Sequence, residues 1–163
     1  MAKLTKLQEK NFDKANTLVF SDKPLSFDDK VFILENWNPA ATNTINKTNA
    51  FFTPIELTNE FSMFIGDHNS IIDLCAGTGI LAFHYFHNRH DKPKNVVCLE
   101  LTEDYVNVGK RVLPEANWIL GDVFDAQLLQ TLGHFDVAIS NPPFVRTKNK
   151  YKHLSYNGMQ CLM

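Results

Sequence analysis

Apolar and polar positions along the chain follow two rhythms, and the switches between them mark out the elements. Ile71, Ile72 and Leu74 make a short, partly β-branched run that reads as a buried strand, and Leu81, Ala82, Phe83 and Phe86 follow at helical spacing. Between them lies Cys75-Ala76-Gly77-Thr78-Gly79. Gly77 and Gly79 let the backbone bend sharply and approach a ligand with no Cβ in the way, so strand, glycine turn and helix start together read as a nucleotide-cofactor cradle. The rhythm then repeats. Val96 to Leu99 predicts a strand ending in Glu100, and Thr102 to Leu113 a helix stopped by Pro114. Trp118 to Leu120 predicts a strand ending in Gly121-Asp122, Ala126 to Leu132 a helix closed by Gly133, and Phe135 to Ser140 a fourth strand. Strands and helices alternating at this spacing predict an α/β fold with a parallel sheet and right-handed crossovers, its ligand at the carboxyl ends of the strands. Asp73, Glu100, Asp122 and Asn141 all fall at those ends.

Upstream of the sheet, residues 1–50 read as a helical, accessory extension. Ser26 caps an amphipathic helix carrying Phe27, Val31, Phe32, Ile33 and Leu34, with Asp28 and Asp29 in its first turn and Asn38-Pro39 ending it near Trp37. The Asn- and Thr-rich stretch Ala40 to Asn49 reads as a surface loop. In Phe51-Phe52-Thr53-Pro54, Thr53 is placed to cap a helix with Pro54 at its first position and Glu56 completing a capping box. Leu57, Phe61, Phe64 and Ile65 would be the buried stripe of that helix. Its N-terminus also offers backbone amides to an anion such as a carboxylate.

Composition narrows the class. With 163 residues, 44% of them hydrophobic and 21% charged, the chain has the apolar mass for one globular domain with a real core. Met1 to Lys14 is polar and no apolar run approaches a membrane span, which leads us to expect a cytoplasmic protein with no membrane partner. Cys75, Cys98 and Cys161 are odd in number and widely spaced, so neither a disulfide framework nor a zinc site is indicated, and Cys75 and Cys98 read as small buried residues within strands. His84, His87 and His90 share their spacing with no carboxylate or thiol, so no metal is expected. The net charge of -2 is unevenly spread. Residues 51–143 carry twelve acids against five Lys or Arg, whereas Arg146, Lys148, Lys150 and Lys152 follow with no acid. A basic tail on an acidic body suits a partner bearing phosphates, and equally a solvated terminus.

Two cofactors compete for the glycine turn. Gly77-Thr78-Gly79-Ile80-Leu81-Ala82 fits the dinucleotide pattern G-x-G-x-x-A, with Glu100 near the spacing of a ribose-binding acid. Glu100 does not discriminate, because any adenosine ribose offers it a diol. Asp73 does: a carboxylate just before the turn repels a pyrophosphate and attracts the ammonium of a methionine moiety. The reading is therefore S-adenosylmethionine. The sharpest motif is Asn141-Pro142-Pro143-Phe144. Two prolines after a strand make a rigid extended turn with free carbonyls. The Asn141 side-chain oxygen and the Pro142 carbonyl can together accept both hydrogens of one planar amino group, drawing its lone pair out of conjugation, while Phe144 stacks on the ring that carries it. Such catalysis is positioning and electrostatics and needs no strong base.

In this order, Phe51 to Pro54, Asp73 to Gly79, Glu100, Asp122 and Asn141 to Phe144 resemble the amino-group methyltransferases of the Rossmann-like class. They are most similar to the gamma-type adenine-specific DNA methyltransferases, including modification subunits of type I restriction systems. The resemblance covers about residues 50–145. It implies a methyltransferase core over 51–145 between a helical extension (1–50) and a basic tail (146–163). Phe52, Thr53, Pro54, Asp73 and Gly77 would line the methionine side of the cofactor, with Cys75 and Gly79 also in the cofactor site, Glu100 would hold the ribose and Asp122 the adenine amino group. Leu101, Val123 and Phe124 would flank that adenine. Asn141, Pro142, Pro143 and Phe144 would hold the target amino group of a DNA adenine flipped out of the duplex, with Arg146, Lys148 and Lys150 on the nucleic acid. Asn-Pro-Pro-aromatic turns also resemble those of methyltransferases acting on rRNA or on release-factor glutamine, and a non-catalytic partner protein is a third reading. A complete sheet of this family continues with about three more strands that the nineteen residues after Phe144 cannot supply. The edge of the fourth strand is therefore expected to be open, or covered by a second copy or another subunit.

Overall fold

In the computed structural model, residues 5–37 and 53–142 are described. The predicted rhythm becomes a four-stranded, wholly parallel sheet: β1 (Ser70–Asp73), β2 (Asn95–Glu100), β3 (Asn117–Leu120) and β4 (Val137–Ile139). The order is β3-β2-β1-β4, so the chain winds outward from β1 through β2 to β3 and then returns to the other side of β1 as β4. The reversal puts a topological switch point between β1 and β4, where a crevice opens at the carboxyl ends. This is a Rossmann-like parallel sheet, as the sequence predicts. Among the described residues no strand pairs with the outer edge of β4.

Among the described residues six helices accompany the strands: α1 (Lys6–Val19), α2 (Phe27–Asn36), α3 (Ile55–Ile65), α4 (Ile80–His87), α5 (Glu103–Val112) and α6 (Ala126–Thr131). Ile71, Val96, Cys98, Trp118 and Ile139 from the sheet share one core with Phe83 and Tyr85 of α4 and Tyr105 and Val108 of α5. The N-terminal helices join that same core through Phe12, Val19, Ile33 and Trp37. They are held there by Arg111, whose side chain donates to the carbonyls of Val19, Ser21 and Lys23, and by Trp37, whose ring meets Phe12 and Tyr105. The start of α2 is as read, with Ser26 and Asp29 closing a capping box. The apolar rhythm does not mark helix α1, although Thr5 and Gln8 form the same reciprocal cap and are its signal.

Helix α3 differs from expectation. Its N-cap is Pro54, no side chain caps it, and the Thr53–Glu56 box is not made. Leu57, Phe61 and Phe64 are 54%, 36% and 89% exposed, while Thr58 and Ser62 are buried at 1% each. Of the predicted stripe only Ile65 packs against the core. The reason lies across the interface. Helix α4 and the residues just after it present polar anchors to α3: Arg89 donates to the carbonyls of Ser62 and Gly66, Tyr85 donates its hydroxyl to the Gly66 carbonyl (2.9 Å), and the Asn88 amide donates to Asn59 (3.0 Å). The small Thr58 and Ser62 allow that approach, and the apolar side chains turn outward. Cys75 also departs from the reading. Of the two cysteines read as strand residues, Cys98 lies in a strand, whereas Cys75 sits just beyond β1 and is half-buried.

Gly109, inside α5, carries no signal in the sequence. A Cβ there would run into the six-membered ring of Trp118, itself anchored by donation from its indole N–H to the Leu113 carbonyl (3.1 Å). Gly109→Ala is therefore expected to lower unfolding free energy by about 1–3 kcal/mol through overpacking, exceeding the ~1 kcal/mol that alanine gains in a helix. Urea unfolding of the two chains checks it.

Candidate functional site

The turn after β1 is stitched to both neighbouring strands. The Leu74 N–H donates to the Ile139 carbonyl (3.0 Å) and the Ala76 N–H to the Leu99 carbonyl (3.0 Å). The Gly77 N–H donates to Glu100 Oε2 (2.8 Å), while Glu100 Oε1 accepts from the Thr102 N–H (2.8 Å). Glu100, buried at the end of β2, thus ties the glycine turn to the start of α5. Each of its oxygens keeps a further lone pair, so a carboxylate fixed in this way can still accept from a diol.

The glycines divide their work. Gly77 has φ +57° and Gly79 φ +90°, both in the left-handed region. At Gly79 a Cβ would also meet the Trp118 ring at 2.8 Å. The core as well as the turn therefore demands glycine there, rather than ligand approach alone.

Asp73 is the most unusual group in the site. It is 1% exposed, and neither carboxyl oxygen has a hydrogen-bond partner among the described residues. Burial pushes its pKa up to about 7; the Cys75 N–H, directed at the carboxyl but short of hydrogen-bond geometry, opposes this, and the Glu100 charge adds to it. An unpaired carboxyl at the switch point suits a cationic donor such as an ammonium, and a pyrophosphate would be repelled there. The acids converge around the turn. The Cys75 thiol is raised first by burial, which the neighbouring Ser140 just past β4 opposes, and further by the charges of Asp73, Glu100 and Asp122. Among the described residues no group of three His, Cys, Asp or Glu side chains could hold a metal ion.

Beyond β3, Asp122 Oδ1 accepts from the Phe124 N–H (2.9 Å) and its carbonyl from the Asp125 N–H (2.9 Å), which shapes an exposed turn holding the half-buried Val123. Leu101 and Phe124, placed by sequence on either side of an adenine, are 65% and 67% exposed at the ends of β2 and β3. Past β4, Asn141 is half-buried and Pro142 exposed. The Asn141 amide donates from Nδ2 to Thr53 Oγ1 at 2.8 Å, so the residue before α3 and the residue after β4 meet. Nothing in the sequence could have paired them. Phe52, Pro143, Phe144, Arg146, Lys148 and Lys150 lie outside the described residues.

His84 and His87, which the sequence gives no role as metal ligands, face the core. Burial lowers both imidazoles first, followed at His84 by the neighbouring His87 and opposed at His87 by Glu115. The His87 ring packs on Phe27 and Phe83.

Comparison with known proteins matches residues 56–157 to the family model described as methyltransferase small domain. Over 90 residues the chain is 29% identical to a demethylmenaquinone methyltransferase of Chlamydia caviae, covering 52% of this chain and 38% of that protein. A Podospora anserina methyltransferase solved with S-adenosylhomocysteine bound superposes with a TM-score of 0.51 at 14% identity, over 86% of this chain and 61% of that one. An O-methyltransferase of Bacillus cereus, also in complex with S-adenosylhomocysteine, gives 0.49 at 13% identity, over 83% and 63%. The chain thus spans well under half the length of the curated relative it matches.

Proposed function

The chain belongs to the methyltransferase small domain family, and we propose that it transfers a methyl group from S-adenosylmethionine to the exocyclic amino group of adenine in DNA. The observation that carries this reading is a pairing across one switch point. A buried carboxyl with no partner among the described residues (Asp73, the last residue of β1) and a side-chain amide two residues past β4 (Asn141) lie at the ends of neighbouring strands. The first suits the cationic end of the cofactor, and the second suits a planar amino group. When bound, the cofactor supplies an electrophilic methyl group on a sulfonium.

The residues of the chain do the rest. Asp73 attracts the ammonium, and Gly77 lets the backbone come close. Glu100, already oriented by two backbone donors, accepts from the ribose diol. Asp122 lies at the next strand end for the cofactor's adenine amino group, and Leu101 and Phe124 offer apolar surface to either side of it. Asn141 Oδ1 and the Pro142 carbonyl accept the two hydrogens of the target amine, so its lone pair points at the methyl carbon as one N–H proton is given up to solvent. The basic residues Arg146, Lys148 and Lys150 favour a nucleic acid over a peptide. Among the described residues the outer edge of β4 is unpaired, and a strand from a second copy or another subunit could pair with it.

Calorimetric titration of the purified chain with S-adenosylmethionine, then labelled-methyl transfer to adenine-containing DNA, matched RNA and a glutaminyl peptide, tests the reading. We expect binding, with label in the DNA. Label only in RNA or peptide overturns the substrate and keeps the chemistry, and absence of cofactor binding overturns both.

A further inference from the structure

We propose that Thr53 is a positioning residue that sets which way the Asn141 amide faces. The proposal rests on the reading of Asn141 as acceptor for the substrate amine, and it reassigns Thr53, which the family resemblance puts on the cofactor. A free asparagine side chain has two nearly equivalent orientations, related by exchange of its oxygen and nitrogen. Only one is productive. With Oδ1 toward the substrate it accepts from the amine; with Nδ2 there, two donors oppose each other and the amine is repelled.

In the structure the amide takes the productive orientation. Nδ2 is held by Thr53 Oγ1, on the side where α3 begins, which leaves Oδ1 directed away from Thr53 as the open acceptor. Thr53 is available for this because it does not cap α3, whose N-cap is Pro54 with no side-chain partner. Pro54, with φ fixed by its ring, and the rigid Pro142 after Asn141 leave the pair little backbone freedom. The Leu74 N–H, which donates to the Ile139 carbonyl, ties the end of β4 to the residues that lead into the glycine turn. The arrangement links cofactor turn, β4 end and α3 start, so the acceptor is oriented before substrate arrives.

Three variants and two readouts test it. Thr53→Val keeps shape and removes the hydroxyl, Thr53→Ser keeps the hydroxyl, and Asn141→Asp replaces the two-faced amide with a carboxylate that accepts from either oxygen. Thr53→Val is expected to lower kcat about tenfold, the size of one lost net hydrogen bond, with cofactor Kd within about twofold of the parent. Thr53→Ser is expected to restore kcat. In the Asn141→Asp background Thr53→Val should have almost no further effect, because a carboxylate has no wrong face. The Asn141 side-chain NH2 resonances, followed by 15N NMR without substrate, should shift and exchange faster in Thr53→Val and not in Thr53→Ser.

A rise in cofactor Kd with kcat unchanged overturns the proposal and returns Thr53 to the cofactor. So does an Asn141 resonance that ignores Thr53→Val. If the parent chain transfers methyl to none of the three substrates, the proposed function fails, while the NMR comparison still decides whether Thr53 orients Asn141.

Discussion

Replacing Asn141 with alanine is expected to lower methyl transfer by about 10²–10³-fold while leaving S-adenosylmethionine affinity within about twofold, the pattern of a group that acts on the reacting amine and not on the cofactor. The magnitude follows from position. Asn141 supplies one of two acceptors at the nitrogen, and its amide is held by Thr53 at 2.8 Å. Alanine leaves the amine conjugated with its ring and its lone pair unavailable. Glu100→Ala provides the contrast. Its carboxylate accepts from the Gly77 and Thr102 amides, so its removal frees the glycine turn from β2 as well as losing the ribose contact. We expect a rise in cofactor Kd of more than about tenfold. Titration calorimetry and single-turnover transfer on both variants separate the roles, and equal loss of cofactor binding in the two would contradict the assignment.

Asp73→Asn is expected to remove a pH dependence of stability. The ordinary carboxyl value is 3.8 and the folded value about 7. Between them the folded chain retains a proton that the unfolded chain has released, so stability falls as pH rises through that window. The loss is absent below about pH 4 and complete above about pH 7, where it is on the order of 4 kcal/mol. The amide of the variant does not ionise. Urea unfolding at pH 5, 6, 7 and 8 should therefore give a falling series for the parent chain, and at this position a flat one for the variant, which is the more stable of the two at pH 8. A variant less stable at pH 8 would mean that the carboxylate has a partner in the folded chain. The same substitution should weaken cofactor binding, because the ammonium loses its counter-charge. In the parent chain, affinity should rise from pH 6 to 8 as Asp73 becomes ionised without cost to the proton. The gain in stability and the loss of binding would come from one group, as expected where a site holds a strained charge in readiness.

Much of this was legible along the chain. The 2-residue and 3.6-residue rhythms, with Ser26 as a cap and Pro114 and Gly133 as stops, were enough to place four strands and the helices between them, because those preferences act over a few neighbouring residues. Parallel winding then follows from crossover length, so Asp73, Glu100, Asp122 and Asn141 can be assigned to one end of the sheet from the sequence alone. The exposure of Leu57, Phe61 and Phe64 was not legible. An apolar stripe says that a helix has a face, and what the face meets depends on the partner; here Tyr85, Asn88 and Arg89 of a later segment offer polar anchors to the opposite side.

The sequence by itself determined the order of elements, the acidic strand ends, the glycine turn and the Asn-Pro-Pro motif, since each is written within a short window. Only the tertiary structure decided that Gly79 and Gly109 make room for Trp118 and that Asp73 has no partner among the described residues. It also decided that Thr53 takes the amide of Asn141 in place of capping α3. These facts depend on contacts between residues far apart in the chain, 88 positions in the last case. A side chain with two local options, as Thr53 has, is settled by whichever distant group the fold brings within 3 Å.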